Sequence, residues 1–186
     1  MIKSKKDLLY YITEDRKHSH VPTNFIATIL SEPKYMIGRY LFFLRYAEYA
    51  KNVIYPDCKI LGKILLVYYH WRMRKLSWKL GFQIPENVFG PGICIYSYGT
   101  IIINPNAKVG KNCTIYPGVT IGGKVQNGYP KIGDNVYIGL GAKVLGGVNI
   151  GNNAYIAPNA VVVKDIEEGC VVGGVPARVL KKNQFL

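Results

Sequence analysis

KIGDNVYIGLGAKVLGGVNIGNNAYIAPNAVVV, residues 131–163, places an aliphatic side chain at every sixth position: Ile132, Ile138, Val144, Ile150, Ile156 and Val162. Two residues before most of these rungs stands a second, mostly small side chain: Val136, Ala142, Val148, Ala154 and Ala160. A period of six suits neither a lone helix, which repeats about every 3.6 residues, nor a lone strand, which repeats at about two. Self-similarity at a short fixed spacing marks stacked repeats that bury a common core.

The pattern extends upstream. Ile103, Val109, Ile115 and Ile121 form an earlier flight, with Ala107, Cys113 and Val119 as the small partners. Each hexad reads aliphatic, Gly or small, two turn-tolerant residues, small or aliphatic, any, as in Val109-Gly110-Lys111-Asn112-Cys113-Thr114. Gly tolerates positive φ, and Asn accepts it more readily than most residues, so these positions supply turns. Three short strands and three turns per coil build a triangular prism with the aliphatic rungs pointing inward.

Two breaks interrupt the ladder. Tyr96-Ser97-Tyr98-Gly99-Thr100 falls between Ile95 and Ile101, and eleven residues rather than six separate Ile121 from Ile132, ejecting a loop near 122–131. Residues pushed out of a regular repeat are the natural place to seek function.

Residues 1–80 have a different texture and read as a helical domain. Leu8, Leu9 and Ile12 suggest a first helix, Tyr35 to Lys51 a second and Ile60 to Leu80 a third, separated by Pro22, Pro33 and Pro56. The third mixes Lys63, Arg72, Arg74, Lys75 and Lys79 with Tyr68, Tyr69, Trp71 and Trp78. Such a helix either lies on an anionic membrane or packs on its neighbours with its cationic heads reaching water, the second being the plainer reading. The domains expected are thus 1–80 helical, 81–180 β-helical and 181–186 a short tail.

The chain of 186 residues carries a formal net charge of +13. Residues 1–80 hold 15 basic against 6 acidic residues, a net +9, which leaves +4 for the remainder. That balance favours anionic partners: a phosphorylated small molecule, a membrane surface or nucleic acid. Nucleic acid is not expected, because the basic residues are dispersed and no recognition module appears. The four cysteines, Cys58, Cys94, Cys113 and Cys170, show neither metal-ligand spacing nor a disulfide framework, so no metal is expected and a reducing cytoplasm is the simplest home. The N-terminus is not a secretory signal, and the apolar run Ile64 to Trp71 is far shorter than the roughly 20 residues of a spanning helix. A soluble protein is expected, with contact to the inner face of a membrane as the alternative.

The residues from about Ile84 to Leu180 resemble the hexapeptide-repeat acyltransferases, and within them the serine acetyltransferase branch and its sugar O-acetyltransferase relatives. The resemblance rests on Val119-Thr120-Ile121-Gly122-Gly123, Pro130-Lys131-Ile132-Gly133-Asp134-Asn135-Val136, Ile138-Gly139-Leu140-Gly141-Ala142-Lys143-Val144-Leu145-Gly146 and Gly174-Val175-Pro176-Ala177-Arg178, in that order. It implies a mainly β fold, a left-handed parallel β-helix with an N-terminal helical domain, assembled as a homotrimer. It also implies acetyl-CoA as co-substrate, bound between neighbouring prisms, and transfer of acetyl to an acceptor hydroxyl. Gly122, Gly123, Gly139, Gly141 and Ala157 are the small residues expected along the cofactor, with Arg178, Lys181 and Lys182 near its phosphates; small hexad turns and a solvated basic tail are the structural alternatives.

The chain departs from that branch where the chemistry lies. The family's first break carries a catalytic histidine, which falls on Ser97; the acidic residue before it falls on Tyr96. A second histidine falls on Tyr129, an Arg before it on Gly128, and an Asp-Pro that helps bind serine resembles Glu32-Pro33. A serine hydroxyl cannot replace imidazole as a base near neutral pH. Tyr98 could offer a hydroxyl to the acceptor or to the oxyanion, or simply pack. The histidines present lie in the helical part: His70 reads as structural among aromatics, and His18 and His20 as a solvated loop pair. Ser97 leaves three explanations open: an engineered substitution, a weak or inactive natural member, or a subgroup with another base.

The leading expectation is an acetyl-CoA-dependent O-acetyltransferase acting on a sugar or surface-polysaccharide hydroxyl, impaired at Ser97. The alternatives are a non-catalytic trimeric scaffold docked on a membrane or partner, and a serine O-acetyltransferase, which the missing serine-binding residues and the chain end at Leu186 argue against.

Overall fold

The computed structural model describes residues 1–19, 33–123, 126 and 128–182. Its first part is helical: α1 (Lys5–Ser19), α2 (Pro33–Tyr49), a π-helical turn (Ala50–Ile54), α3 (Tyr55–Asp57) and α4 (Lys59–Leu80). Fourteen short strands follow: β1 (Phe82–Gln83), β2 (Cys94–Ile95), β3 (Ile101–Ile103), β4 (Lys108–Val109), β5 (Thr114–Ile115), β6 (Thr120–Gly122), β7 (Lys131–Ile132), β8 (Tyr137–Ile138), β9 (Lys143–Leu145), β10 (Asn149–Ile150), β11 (Tyr155–Ile156), β12 (Val161–Val162), β13 (Val171–Gly173) and β14 (Arg178–Lys181).

From β2 to β12 every third strand stacks on the same face, and β1 and β13 join β3 and β11 at the two ends. The first face orders β1-β3-β6-β9-β12, the second β4-β7-β10 and the third β2-β5-β8-β11-β13, all in parallel, with β14 folding back antiparallel on β13. The expected mainly β architecture, a parallel β-solenoid behind an N-terminal helical region, is what the chain adopts. The ladder becomes three inward columns: Ile103, Ile121, Val144 and Val162 on the first face, Val109, Ile132 and Ile150 on the second, and Ile95, Ile115, Ile138, Ile156 and Val172 on the third, all buried. Each such side chain contributes about 1.5–3 kcal/mol through burial. The repeat begins one coil before the regular ladder, since Phe82 pairs with Ile101 and Phe89 bridges to Val109.

The corners turn on asparagine. Asn112, Asn135 and Asn153 have φ of 52°, 55° and 56°, and each side-chain amide donates to the next coil, Asn112 to Asn135 at 3.1 Å and Asn135 to Asn153 at 3.1 Å. The polar side chain that tolerates left-handed backbone also bonds coil to coil.

Two expectations for the helical region need correction. Pro56 does not separate helices: it lies within α3, where the missing N–H of an early helical position costs nothing, and the break falls at Cys58, extended at φ −140°. His70 is not among core aromatics; it is exposed on α4 and bonds the Glu86 carboxylate. Among the described residues no helix is long and apolar enough to cross a membrane.

Candidate active site

The first break in the ladder is the turn from β2 to β3, and the end of α4 is fixed to it. Gly81 caps α4 at φ 80°, donating its N–H to the Ser77 carbonyl at 2.8 Å. The Leu80 carbonyl then accepts the Gly99 N–H at 2.8 Å, and the Gly81 carbonyl accepts that of Ile101 at 3.0 Å. Gly99 has φ 137°, and a Cβ there would come within 2.8 Å of the Pro117 Cβ, so the turn has no room for another residue.

This turn presents Ser97 half-buried between the exposed rings of Tyr96 and Tyr98. Among the described residues no imidazole or carboxylate is hydrogen-bonded to Ser97. Tyr96 is stacked on Tyr116, centroids 4.4 Å apart and 15° from parallel. Tyr116 leans on Tyr137 at 5.2 Å, and Tyr137 stacks on Tyr155 at 4.3 Å and 5°. A ladder of four tyrosines thus descends the third face from the Ser97 turn. Burial, with hydrogen bonding among Tyr116, Tyr137 and Tyr155, pushes the Tyr137 hydroxyl well above the ordinary tyrosine range, so it stays a neutral donor.

His18 approaches the same face. It is the penultimate residue of α1, not part of a solvated loop, and its Nε2 lies 3.1 Å from Thr114 Oγ1. Thr114 is the register partner of both Cys94 and Tyr137. The next residue, Ser19, donates its hydroxyl to the Ile93 carbonyl at 2.8 Å. Burial pushes the Cys94 and Cys113 thiols up, which removes both as nucleophiles.

The glycines expected along a cofactor divide sharply. A Cβ at Gly139 would meet Pro158 N at 2.7 Å, one at Gly141 the Asn159 Oδ1 at 2.2 Å, and one at Gly123 the Gly128 carbonyl at 2.4 Å. Coil-to-coil packing accounts for Gly139 and Gly141, and closure of the ejected loop on itself accounts for Gly123. Gly122 differs: its Cβ would meet only Leu145 Cδ2, at 3.5 Å, and a Cβ at Gly146 would meet nothing within 4 Å. The Gly146 N–H donates to the Gly122 carbonyl at 2.9 Å, so the two share one open edge.

Tyr129 is half-buried against Gly123. Ala157 is half-buried on the third face, where its Cβ lies 3.3 Å from the position a Gly173 Cβ would take. Arg178 and Lys181 do not trail as a tail: both are exposed in β14, while Lys182 pairs with Glu167 at 2.9 Å. Glu32 and His20 lie outside the described residues. Among those described, no group of three or more His, Cys, Asp or Glu is placed to hold a metal. Sequence reasoning missed Tyr116, Tyr137, Tyr155 and Gly146. The tyrosines had a signal, since each adjoins an inward rung of the third face, Ile115, Ile138 or Ile156.

A bacterial transferase hexapeptide (six repeats) model matches residues 129–164, the regular stretch of the solenoid. The chain is similar to serine acetyltransferases. It is 44% identical to the serine acetyltransferase of Mycobacterium tuberculosis over 103 residues, which cover 54% of this chain and 45% of that protein. The chain therefore matches less than half the length of this relative. Among solved structures, Neisseria gonorrhoeae serine acetyltransferase in complex with serine superposes with a TM-score of 0.63 at 28% identity, covering 95% of this chain and 68% of that one. Brucella abortus serine acetyltransferase in complex with coenzyme A gives 0.68 at 24% identity, covering 95% and 67%, a likeness of fold.

Proposed function

We propose that the protein is an acetyl-CoA-dependent O-acetyltransferase that moves an acetyl group to the hydroxyl of a small acceptor. The observation that carries this reading is the similarity of its repeat to serine acetyltransferases across about half of the chain. Serine as acceptor is supported by the relatives' names and by a neighbour solved with serine, and it displaces the sugar as the first reading. Coenzyme A as the acyl carrier is supported by the neighbour solved with it.

The chain's own residues fit such a substrate. Gly122 and Gly146 leave an edge against which an extended pantetheine arm can lie, and Arg178 and Lys181 are exposed cations suited to its phosphates. Assembly as a homotrimer would close that edge with a neighbouring prism. In the transfer the acceptor oxygen bonds the acetyl carbon, the C–S bond breaks and its electron pair leaves on sulfur, and the hydroxyl proton must leave oxygen and end on that thiolate as free coenzyme A. Ser97 cannot take that proton, so transfer rests on positioning, with Tyr98 as a hydroxyl donor beside the reacting atoms, and is slower by about 10² to 10⁴ than with an imidazole base.

A sugar hydroxyl is the second reading, favoured by one observation: the exposed Tyr96 ring, held flat on Tyr116, stands where the branch has an acidic residue and offers a face for a pyranose. Acetyl-CoA supplied with L-serine and with a panel of sugar nucleotides, products followed by mass spectrometry, separates the two. Acetylserine supports the first reading and an acetylated sugar the second. Absence of coenzyme A binding by calorimetry overturns both.

A further inference from the structure

Helix α4 is apolar on two opposite sides. One side, with Gly62, Met73, Leu76 and Leu80 buried, packs on the rest of the protein. The other has no partner: Ile60, Ile64, Val67, Trp71 and Trp78 are 77, 61, 64, 51 and 80% exposed. At 3.6 residues per turn these five side chains fall within about 60° of one another, forming one stripe along the helix. Isolated exposed apolar side chains are ordinary, but a continuous stripe of this size is not.

The flanks of the stripe are cationic. Lys63 and Arg74 project on one side of it and Lys75 on the other, Lys75 Nζ resting 3.9 Å from the centre of the Trp71 ring. The 22 residues of α4 contain six Lys or Arg and no Asp or Glu. That balance argues against a second copy of the same face, which would set Lys63, Arg74 and Lys75 against their own like charges with no carboxylate on the helix to offset them. It matches a surface that is apolar at depth and anionic above.

We propose that the outer face of α4 docks in the plane of an anionic lipid bilayer, with Ile64, Val67, Trp71 and Trp78 in the acyl boundary and Lys63, Arg74 and Lys75 at the phosphates. The inference is independent of the catalytic reading. The protein adheres through this helix without spanning the membrane.

The chain's two tryptophans both lie on this face, so intrinsic fluorescence reads it directly. With vesicles of phosphatidylcholine containing phosphatidylglycerol, the emission should shift to the blue and the protein should float with the lipid. With phosphatidylcholine alone both signals should largely vanish. I64S/V67S, which keeps both tryptophans, and K63E/K75E should each lower vesicle affinity about tenfold or more. Circular dichroism melts matching the parent show that these variants remain folded. Overturning results are unchanged emission with anionic vesicles, equal binding to neutral and anionic lipid, or a change of oligomeric mass in I64S/V67S, which would make the stripe a subunit interface.

Discussion

Arg45 and Asp15, thirty residues apart on α2 and α1, form a two-point ion pair with Nε–Oδ2 at 2.8 Å and Nη2–Oδ1 at 3.3 Å, and the arginine is wholly buried. Arg45 also donates to Glu48 at 3.0 Å and to the carbonyls of Phe89 and Gly90 at 3.0 and 2.7 Å. Asp15 Oδ1 accepts the N–H groups of Gly92 and Ile93 at 2.8 and 3.0 Å. One cation and two carboxylates thereby lock two helices to the first coil, beside the turn that carries Ser97.

Asp15→Ala should cost about 3–5 kcal/mol, because it leaves a buried guanidinium and two backbone N–H groups without their acceptor. Urea titration followed by circular dichroism measures it. A loss below about 1 kcal/mol, the value of an exposed pair, would mean the network contributes little.

The pH dependence has a definite sign at Glu86. Burial raises its pKa, but the hydrogen bonds from His70 and Lys51 outweigh it and the net shift is downward from 4.5. A depressed carboxyl contributes stability above its unfolded pKa and loses it as pH falls through the folded value. The difference in Tm between the parent and Glu86→Gln should therefore shrink as the pH falls below the ordinary carboxylate range and Glu86 takes up its proton. A difference that grows on acidification would contradict the ion pair.

The turn asparagines separate backbone strain from hydrogen bonding. Asn135, at φ 55°, donates to Asn153 and accepts from Asn112. Asn135→Ala loses both bonds and keeps an unfavourable φ, for a cost of about 2 kcal/mol; Asn135→Gly relieves the φ and should cost about half as much. Thermal melts of the two variants rank the effects, and equal losses would show that φ is irrelevant here.

These residues also show how much the sequence disclosed. The rungs from Ile103 to Val162 were legible because a six-residue period is local, and the asparagine turns with them. The first coil was harder, since Phe82 and Phe89 replace branched aliphatics and the spacing is irregular. The Arg45 cluster left no trace in the sequence: its members lie up to 78 residues apart, and nothing near Arg45 announces a buried charge. At the site, Ser97 and Tyr96 were found by alignment to a pattern. The tyrosine ladder was not, because stacking joins side chains about three hexads apart and only the coil brings them together. Gly139, Gly141 and Gly122 looked equivalent in the sequence, and only the atoms opposite each one distinguish them.

That distinction is testable. Gly122→Ala puts a methyl group into ordinary contact with Leu145, so its melting temperature should stay within a degree or two of the parent, roughly the effect of a neutral surface change. If coenzyme A lies along that edge, its affinity should fall about tenfold or more, because a Cβ keeps the arm off the backbone. Gly141→Ala forces a side chain at φ 70° against Asn159 and should destabilise by about 1–3 kcal/mol. Calorimetric titration of both variants decides it: unchanged coenzyme A affinity in Gly122→Ala removes this edge from the binding site.

The base is tested by restoring one. Ser97→His puts an imidazole in the turn that α4 and Gly99 already hold, half-buried and beside the ring of Tyr98. A positioned general base contributes about 10² to 10⁴ in rate, so kcat should rise by that order while KM for acetyl-CoA stays near the parent value. The gain should appear as a limb of the pH–rate profile with a midpoint near the ordinary histidine range, about 6.5, absent from the parent. If the rate is unchanged, the proton leaves by another route. The group to remove next is then His18, which lies against the same solenoid face at Thr114. A loss of activity in His18→Gln, with Ser97→His neutral, would assign the proton to α1 rather than to the first break of the ladder.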